Sequence, residues 1–233
     1  MTVSVHDVLT RAKIILQDGD SVRWPLPELA LWVLDGAKEI ALRQPSATAV
    51  TVSMDMAIGT RQTVGALYQS MIRAVRNMDG SNGGRSITSV ARAVLDAQSP
   101  DWHDTSRVVF KKIVKHVVID VMDPQSFYVY PGNDGTGEIE VVVSKIPVMS
   151  AAPADPDDLD DYAAITVPLI GTYLSALVDY VLARSFSKDS QYAGSEQRAA
   201  MHAALFQGAV GARESSNMTA NPNTTNAQPR APK

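Results

Sequence analysis

The first segment that could do chemistry is glycine-rich, DGSNGGRS at residues 79–86. A phosphate-binding loop has such glycines, but it needs a Lys followed by Ser or Thr after the last glycine, and a helix directly behind them. Here Arg85 and Ser86 follow the last glycine, and the flanking segments alternate as strands do. The spacing therefore favours a plain hairpin turn, with a nucleotide-dependent hydrolase at this loop as the alternative.

The second segment is acidic, DPDDLDD at residues 155–161. Carboxylates at this density attract cations, but the segment lacks the glycine and the terminal glutamate of a calcium loop. The favoured interpretation is a linker whose carboxylates cap the next helix, because negative charge is stabilising at a helix N-terminus. A metal-dependent hydrolase that uses this loop is the alternative.

The third segment is DWHD at residues 101–104, which predicts a solvated loop around one buried side chain, Trp102. The four histidines of the chain are too far apart in sequence to form a metal-binding pair on one helix. The chain has no cysteine, which excludes disulfides, thiolate metal sites and cysteine nucleophiles. We therefore predict no catalytic residue, no metal and no cofactor, and a protein that is not an enzyme.

The composition is that of a globular protein. Of the 233 residues 45% are apolar and 20% are charged, so the chain can bury a core. The formal net charge of −4 argues against a general nucleic-acid binder. No apolar run approaches the roughly 18 residues that span a bilayer, so no membrane partner is expected.

Helical periodicity marks both ends of the chain. Residues 5–16 carry one apolar stripe, with Ser4 and Asp7 at capping-box spacing and Gly19 as the predicted end. A second helix is predicted over residues 27–43, with Pro27 in its first turn and an outward Glu39–Arg43 pair. Two more helices are predicted from Ile170 to about residue 188, and from about residue 189 to Val210.

The middle of the chain is predicted to be β-rich. Residues 47–54 alternate as a strand does. Residues 66–78 and 85–95 flank the glycine-rich turn as a hairpin, although residues 89–98 also fit a helix. Three short β-branched segments between residues 115 and 145 predict a three-stranded meander. The predicted fold class is α+β and mainly helical, a helical bundle with an inserted small antiparallel β section and an extended C-terminal arm.

This order of predicted elements divides the chain into four parts. They are N-terminal helices over residues 1–47, a β-rich insertion over 48–150, a linker with a C-terminal helical hairpin over 151–211, and an extended arm over 212–233. The arm has Met218 as its only large apolar side chain, so alone it could not offset its backbone entropy. Fully extended, it reaches about 70 Å.

Four segments resemble the head–tail connector proteins, also called adaptors, of tailed bacteriophages. Residues 23–40, RWPLPELALWVLDGAKEI, are similar to the family's segment R-W-x-x-x-E-L-x-x-W-x-x-D-G-x-x-E-I. Residues 94–103 resemble its next marker, residues 123–131 (DPQSFYVYP) resemble its D-P-x-x-F-Y-V-Y-P strand, and residues 177–202 resemble its helical hairpin. The markers occur in the family's order.

The resemblance implies a structural protein of the virion neck, made in the host cytoplasm. Family members form a ring, usually of twelve copies, beneath the portal protein. They extend the channel, through which double-stranded DNA passes without specific binding, and they present a surface to a tail tube or nozzle protein. The resemblance implies a docking arm on the portal or a neighbouring copy, and we assign to it Arg213, Met218, Asn221, Pro222, Asn223, Thr224, Thr225, Asn226, Pro229, Arg230 and Lys233. Basic side chains of the β section are expected to contact the ring neighbour or the tail, namely Arg73, Arg76, Arg85 and Arg92.

Overall fold

The computed structural model describes residues 2–80, 82–120, 122–189 and 192–220, with the side chains of 212–220 left out. Within these residues the chain forms five α-helices and ten strands. In chain order they are β1 (Thr2–Ser4), α1 (Val5–Leu16), α2 (Leu26–Arg43), β2 (Ala49–Asp55), β3 (Gly59–Thr63), β4 (Tyr68–Asp79), β5 (Asn82–Ser86), β6 (Thr88–Ser89), α3 (Arg92–Gln98), β7 (His116–Ile119), β8 (Ser126–Asn133), β9 (Glu138–Lys145), β10 (Thr166–Ile170), α4 (Leu174–Lys188) and α5 (Ser195–Ala220).

The chain divides into two compact units. The terminal unit combines Met1–Gln44 with Pro147–Lys233, and the central unit is Pro45–Ile146. Ten strands in three sheets overturn the expectation of a mainly helical protein: the fold is α+β, and the β part is not small.

The terminal unit is a set of helices packed around α4. α1 begins where predicted, since the Ser4 side chain accepts a hydrogen bond from the backbone N–H of Asp7 at 3.4 Å. It ends at Leu16, three residues before the predicted Gly19, because Gln17 takes the left-handed conformation with φ +56°. α2 carries Pro27 in its first turn and the Glu39–Arg43 ion pair at 2.7 Å, as predicted.

The helix predicted from Ile170 begins four residues later, at Leu174. Residues Thr166–Ile170 instead form β10, which pairs antiparallel with β1 at the opposite end of the chain. This pairing buries Val3 and Val167, and it ties the N-terminus to the C-terminal half. Local periodicity cannot detect a strand whose partner lies more than 160 residues away.

α2 and α4 approach closely at Gly36. A Cβ atom at this position would lie 2.9 Å from Tyr180 Cδ1 and 3.0 Å from Leu177 Cδ2 of α4. The Gly36→Leu substitution is therefore expected to destabilise the terminal unit by about 1–3 kcal/mol through overpacking. Urea denaturation followed by circular dichroism measures the loss.

The matched control for this prediction is Gly208→Leu in α5, where an added Cβ would meet no atom within 4 Å. Leucine favours a helix interior over glycine by up to about 1 kcal/mol, so this variant should be as stable as the wild type or slightly more stable. Equal stability of the two leucine variants would contradict the close approach.

The central unit contains two four-stranded sheets. The first has the strand order β2-β9-β4-β5 and the second has the order β3-β8-β7-β6. One apolar core lies between them, formed by Met56, Val64, Met71, Ile87, Val114, Val117, Phe127, Val129, Ile139, Val141 and Val143. The predicted three-stranded meander is wrong, because β8 and β9 belong to different sheets, and the β section is not purely antiparallel, because β6 and β7 pair in parallel.

The glycine-rich hairpin is present, with β4 paired antiparallel to β5 and Asp79 opposite Asn82. Its second strand is shorter than predicted, and residues 92–98 form the helix that was the open alternative. α3 and the following loop cover the outer face of the second sheet. Leu95 and Trp102 pack there on Val118, so this sheet is covered on both faces.

Candidate functional site

The glycine-rich segment lies in a strand–turn–strand hairpin. A phosphate loop requires a helix directly behind it, so that the helix N-terminus faces the phosphates. Here β5 follows, and Gly83 lies beneath the guanidinium group of Arg76. The hairpin interpretation is confirmed, and the phosphate-loop alternative is wrong.

The carboxylates of the acidic segment are used by its own backbone. Asp155 Oδ1 accepts a hydrogen bond from Asp157 N–H at 3.0 Å, and Asp158 Oδ1 accepts one from Asp160 N–H at 2.9 Å. The segment continues into a 3-10 turn at Asp160–Tyr162 and not into the helix that was predicted. Burial, together with the charges of Asp157 and Asp155, raises the pKa of Tyr162. No three His, Asp or Glu side chains form a metal-binding group in the described part of the chain.

The DWHD loop surrounds a buried Trp102, as predicted. The Trp102 indole N–H donates to Asp96 at 2.9 Å, and its ring lies 3.7 Å from the His103 ring. His103 Nδ1 is 2.7 Å from the Thr60 hydroxyl, and partial burial lowers the pKa of His103. Hydrogen bonds from the hydroxyl and the N–H of Ser106 lower the pKa of Asp104. These groups are engaged in holding the loop together.

Two of the four basic residues of the β section form ion pairs with neighbouring acidic side chains. Arg76 on β4 forms an ion pair with Glu140 at 3.0 Å, and Arg92 on α3 pairs with Asp96 at 3.5 Å. Arg73 on β4 and Arg85 on β5 are exposed, and neither forms an ion pair with any residue that the structure describes. Two of the four guanidinium groups are therefore open to an external partner.

The C-terminal site residues fall into two groups. Arg213 and Met218 lie in α5, which continues to Ala220, so the first nine residues of the predicted arm are helical and not extended. The remaining arm residues lie outside the described residues; they are Asn221, Pro222, Asn223, Thr224, Thr225, Asn226, Pro229, Arg230 and Lys233.

Exposed apolar surface on the terminal unit was missed by the sequence analysis. Ile14 and Ile15 of α1 are 70% and 49% exposed, and Met201 and Leu205 of α5 are each 51% exposed. A groove of about 520 Å³ also runs between α2, α4 and α5, with Tyr180 and Phe206 in its lining. The available signal was the absence of any charged residue from Ala199 to Ala212, which is unusual for an outer helix.

Polar contacts hold the terminal helices in register. His202 Nδ1 of α5 lies 2.8 Å from Asp179 Oδ1 of α4, and both side chains are largely buried. Arg23 forms an ion pair with Asp189 at 2.7 Å, and Lys188 pairs with Glu28. These contacts join α5 to α4, and the beginning of α2 to the end of α4.

None of the helices in the described ranges is both long and apolar enough to cross a membrane.

Comparison with known proteins assigns the chain to a family. The search of curated proteins found no match. The model of the SU10 adaptor protein family matches residues 3–227, which is nearly the whole chain. The resemblance seen in the sequence is thus confirmed, and the chain belongs to the SU10 adaptor proteins, a family of bacteriophage adaptors.

Proposed function

We propose that this adaptor forms a ring, of twelve copies as is usual for connectors, beneath the portal protein of a tailed phage. The ring extends the DNA channel and presents the surface to which a tail tube or nozzle protein attaches. The family match over residues 3–227 is the observation that carries this proposal. The phage neck is the expected location, and assembly takes place in the host cytoplasm.

In the three segments considered for chemistry, the polar groups already bind other parts of the protein. This supports a structural role. The acidic segment, the DWHD loop and the glycine-rich hairpin each bind their own backbone or neighbouring side chains. Among the described residues, surfaces open to a partner include apolar faces on α1 and α5, and exposed arginines on β4 and β5. Such surfaces suit assembly, in which many modest contacts repeated around a ring give strong attachment.

The C-terminal segment is proposed as the docking arm, on the portal or on a neighbouring copy. The 13 residues after Ala220 carry Arg230 and Lys233 and no acidic side chain. Pro222, Pro229 and Pro232 restrict the free segment, so that ordering it on a partner costs less entropy.

Removing this segment is expected to weaken docking. A chain that ends at Ala220 keeps all of α5, whereas a chain that ends at Gly211 also loses the last turns of the helix. Native mass spectrometry with the cognate portal should show a fixed ring of full-length copies and little or no ring of either shortened chain.

The two shortened chains separate the possible outcomes. If the chain ending at Ala220 still forms the ring and the chain ending at Gly211 does not, the end of α5 is the docking element. If both form the ring, the docking-arm proposal fails while the ring proposal stands. A full-length chain that does not bind the portal would overturn the proposed function itself.

Charge reversal at the two open arginines is expected to impair ring or tail attachment. The variant Arg73→Glu/Arg85→Glu places negative charge where a partner meets positive charge, and like charges in an interface are strongly unfavourable. We expect at least about tenfold weaker assembly on portal complexes, measured by native mass spectrometry and by binding of tail protein. The matched control is Arg107→Glu, an exposed arginine of the same unit. Unchanged assembly of the double variant would remove these residues from the contact surface.

A further inference from the structure

The first sheet of the central unit has one edge strand without the usual protection. Edge strands present unpaired N–H and C=O groups, and proteins normally blunt them with charges, proline, bulges or short length. β2 is seven residues long and pairs with β9 in one continuous register. By contrast, register shifts interrupt the β3–β8, β4–β5 and β4–β9 pairings. Residues 49–54 of β2 contain no charge and no proline.

The side chains of β2 alternate as those of a regular strand. Val50, Val52 and Met54 pack on the apolar core of the central unit, and the alternate residues, including Thr51 and Ser53, are exposed. β2 is therefore a regular strand along the edge of the sheet, with no register shift against β9. An edge of this kind is a template for one further strand.

We infer that β2 of one copy pairs with β5 of the next copy around the ring, an inference that rests on the ring proposed above. A ring needs two different complementary surfaces on each copy. β2 and β5 are the two edges of the same sheet, and β5 is exposed along its whole length. The partner strand is thus supplied by the chain itself.

The strand directions agree with this pairing. Each of the three pairings in the sheet, β2–β9, β9–β4 and β4–β5, is antiparallel. β2 and β5 therefore run in opposite directions. If the strands run along the ring axis, the rotation that relates neighbouring copies keeps their directions. β5 of one copy then meets β2 of the next in antiparallel orientation, and the order of the sheet continues.

The register also agrees. Ser53 stands opposite Glu140, Glu140 opposite Arg76, and Arg76 opposite Ser86, so Ser53 and Ser86 end the same row across the sheet. In a ring without offset, Ser86 of one copy would face Ser53 of the next. A tilt of the strands slides this register in steps of two residues and brings Thr51 to the same place.

Cysteine cross-linking tests the inference, since the chain has no cysteine of its own. Two double variants, Ser53→Cys/Ser86→Cys and Thr51→Cys/Ser86→Cys, are bound to the cognate portal and oxidised. One of the two should give a ladder of covalent oligomers, whereas each single variant stays monomeric under denaturing conditions. Ser53→Cys/Ser89→Cys is the control, because Ser89 lies on β6, an edge of the other sheet, and should give no ladder.

The outcomes distinguish this inference from the proposed function. If the wild-type chain and both double variants form the ring by native mass spectrometry but no ladder appears, the edge pairing is wrong and the ring proposal stands. Covalent dimers from Ser53→Cys alone would show that β2 pairs with itself, which also overturns the inference. A wild-type chain that forms no ring overturns both.

Discussion

Replacing Trp102 with alanine is expected to unfold the central unit or to cost it about 3–5 kcal/mol, the usual range for a large buried aromatic side chain. The indole is fully buried between α3 and the outer face of the second sheet. It packs edge-on against Tyr128 at 6.0 Å and against the ring of His103. Alanine would leave a cavity that Leu95 and Val118 cannot fill, and the loop would lose its anchor.

Hydrogen exchange measured by mass spectrometry is the informative experiment, because it resolves the two compact units. Protection should fall in the central unit and remain in the terminal unit. Trp102→Phe keeps an aromatic ring and loses the hydrogen bond to Asp96, so we expect a smaller loss, about 1–2 kcal/mol. Val109→Ala, at a side chain that is 66% exposed, is the control. If Trp102→Ala is as stable as this control, the indole does not anchor the loop.

The helices could be predicted from the sequence because the signals that define each helix come from residues close to one another in the chain. The apolar stripe of α1, its Ser4 cap, and the Glu39–Arg43 pair of α2 all depend on residues within a few positions of one another. The same locality explains the error at Ile170. Its side chain continues the periodic pattern of α4, but the backbone there is held by pairing with β1.

The sheets could be predicted only as a set of strands. Strand content follows from β-branched alternation, but the partner of each strand depends on distant contacts. β8 and β9 are neighbours in sequence, yet β9 pairs with β2 and β4 while β8 pairs with β3 and β7. β3 and β6 are polar and short, GTRQT and TS, so no apolar alternation marks them.

The candidate site, like the sheets, could be predicted only in part from the sequence. The basic residues Arg73, Arg76, Arg85 and Arg92 are visible in the sequence, but which of them remain open depends on Glu140 and Asp96, and these contacts become visible only in the fold. The edge strand β2 is visible as a strand, whereas its position at an edge is a property of the whole sheet. An adaptor acts through its surfaces. The features that determine those surfaces, such as which arginines are open and which strand lies at an edge, depend on the whole fold.

Replacing Asn133 with alanine is the second change for which we expect a large effect. Asn133 is fully buried at the end of β8, and its amide donates to the carbonyl groups of Lys111 and Lys112 at 3.2 and 3.0 Å. Its carbonyl accepts from the N–H groups of Gly135 and Gly137 at 2.8 and 3.1 Å. One side chain therefore satisfies four backbone groups and joins the turn before β9 to the segment that precedes β7.

Each buried polar group left without a partner costs about 1–3 kcal/mol. Water entering the cavity can bind some of the four groups, so we expect a loss of about 3–5 kcal/mol and not the full sum. Urea denaturation followed by circular dichroism measures the loss, and hydrogen exchange should place it in the central unit. Gly137→Ala tests the same hydrogen bonds by changing the partner residue, because the added Cβ would collide with the Asn133 amide.

Two further substitutions decide whether the hydrogen bonds or the mere volume of Asn133 matter. Asn133→Asp keeps the shape and the accepting oxygen but turns an N–H donor into an oxygen that faces the Lys111 and Lys112 carbonyl groups. It should therefore be about as damaging as alanine. Asn82→Ala, on the exposed edge strand β5, should be nearly neutral. A stable Asn133→Asp protein would show that the two donated bonds contribute little, and that accepting from Gly135 and Gly137 is what holds the turn in place.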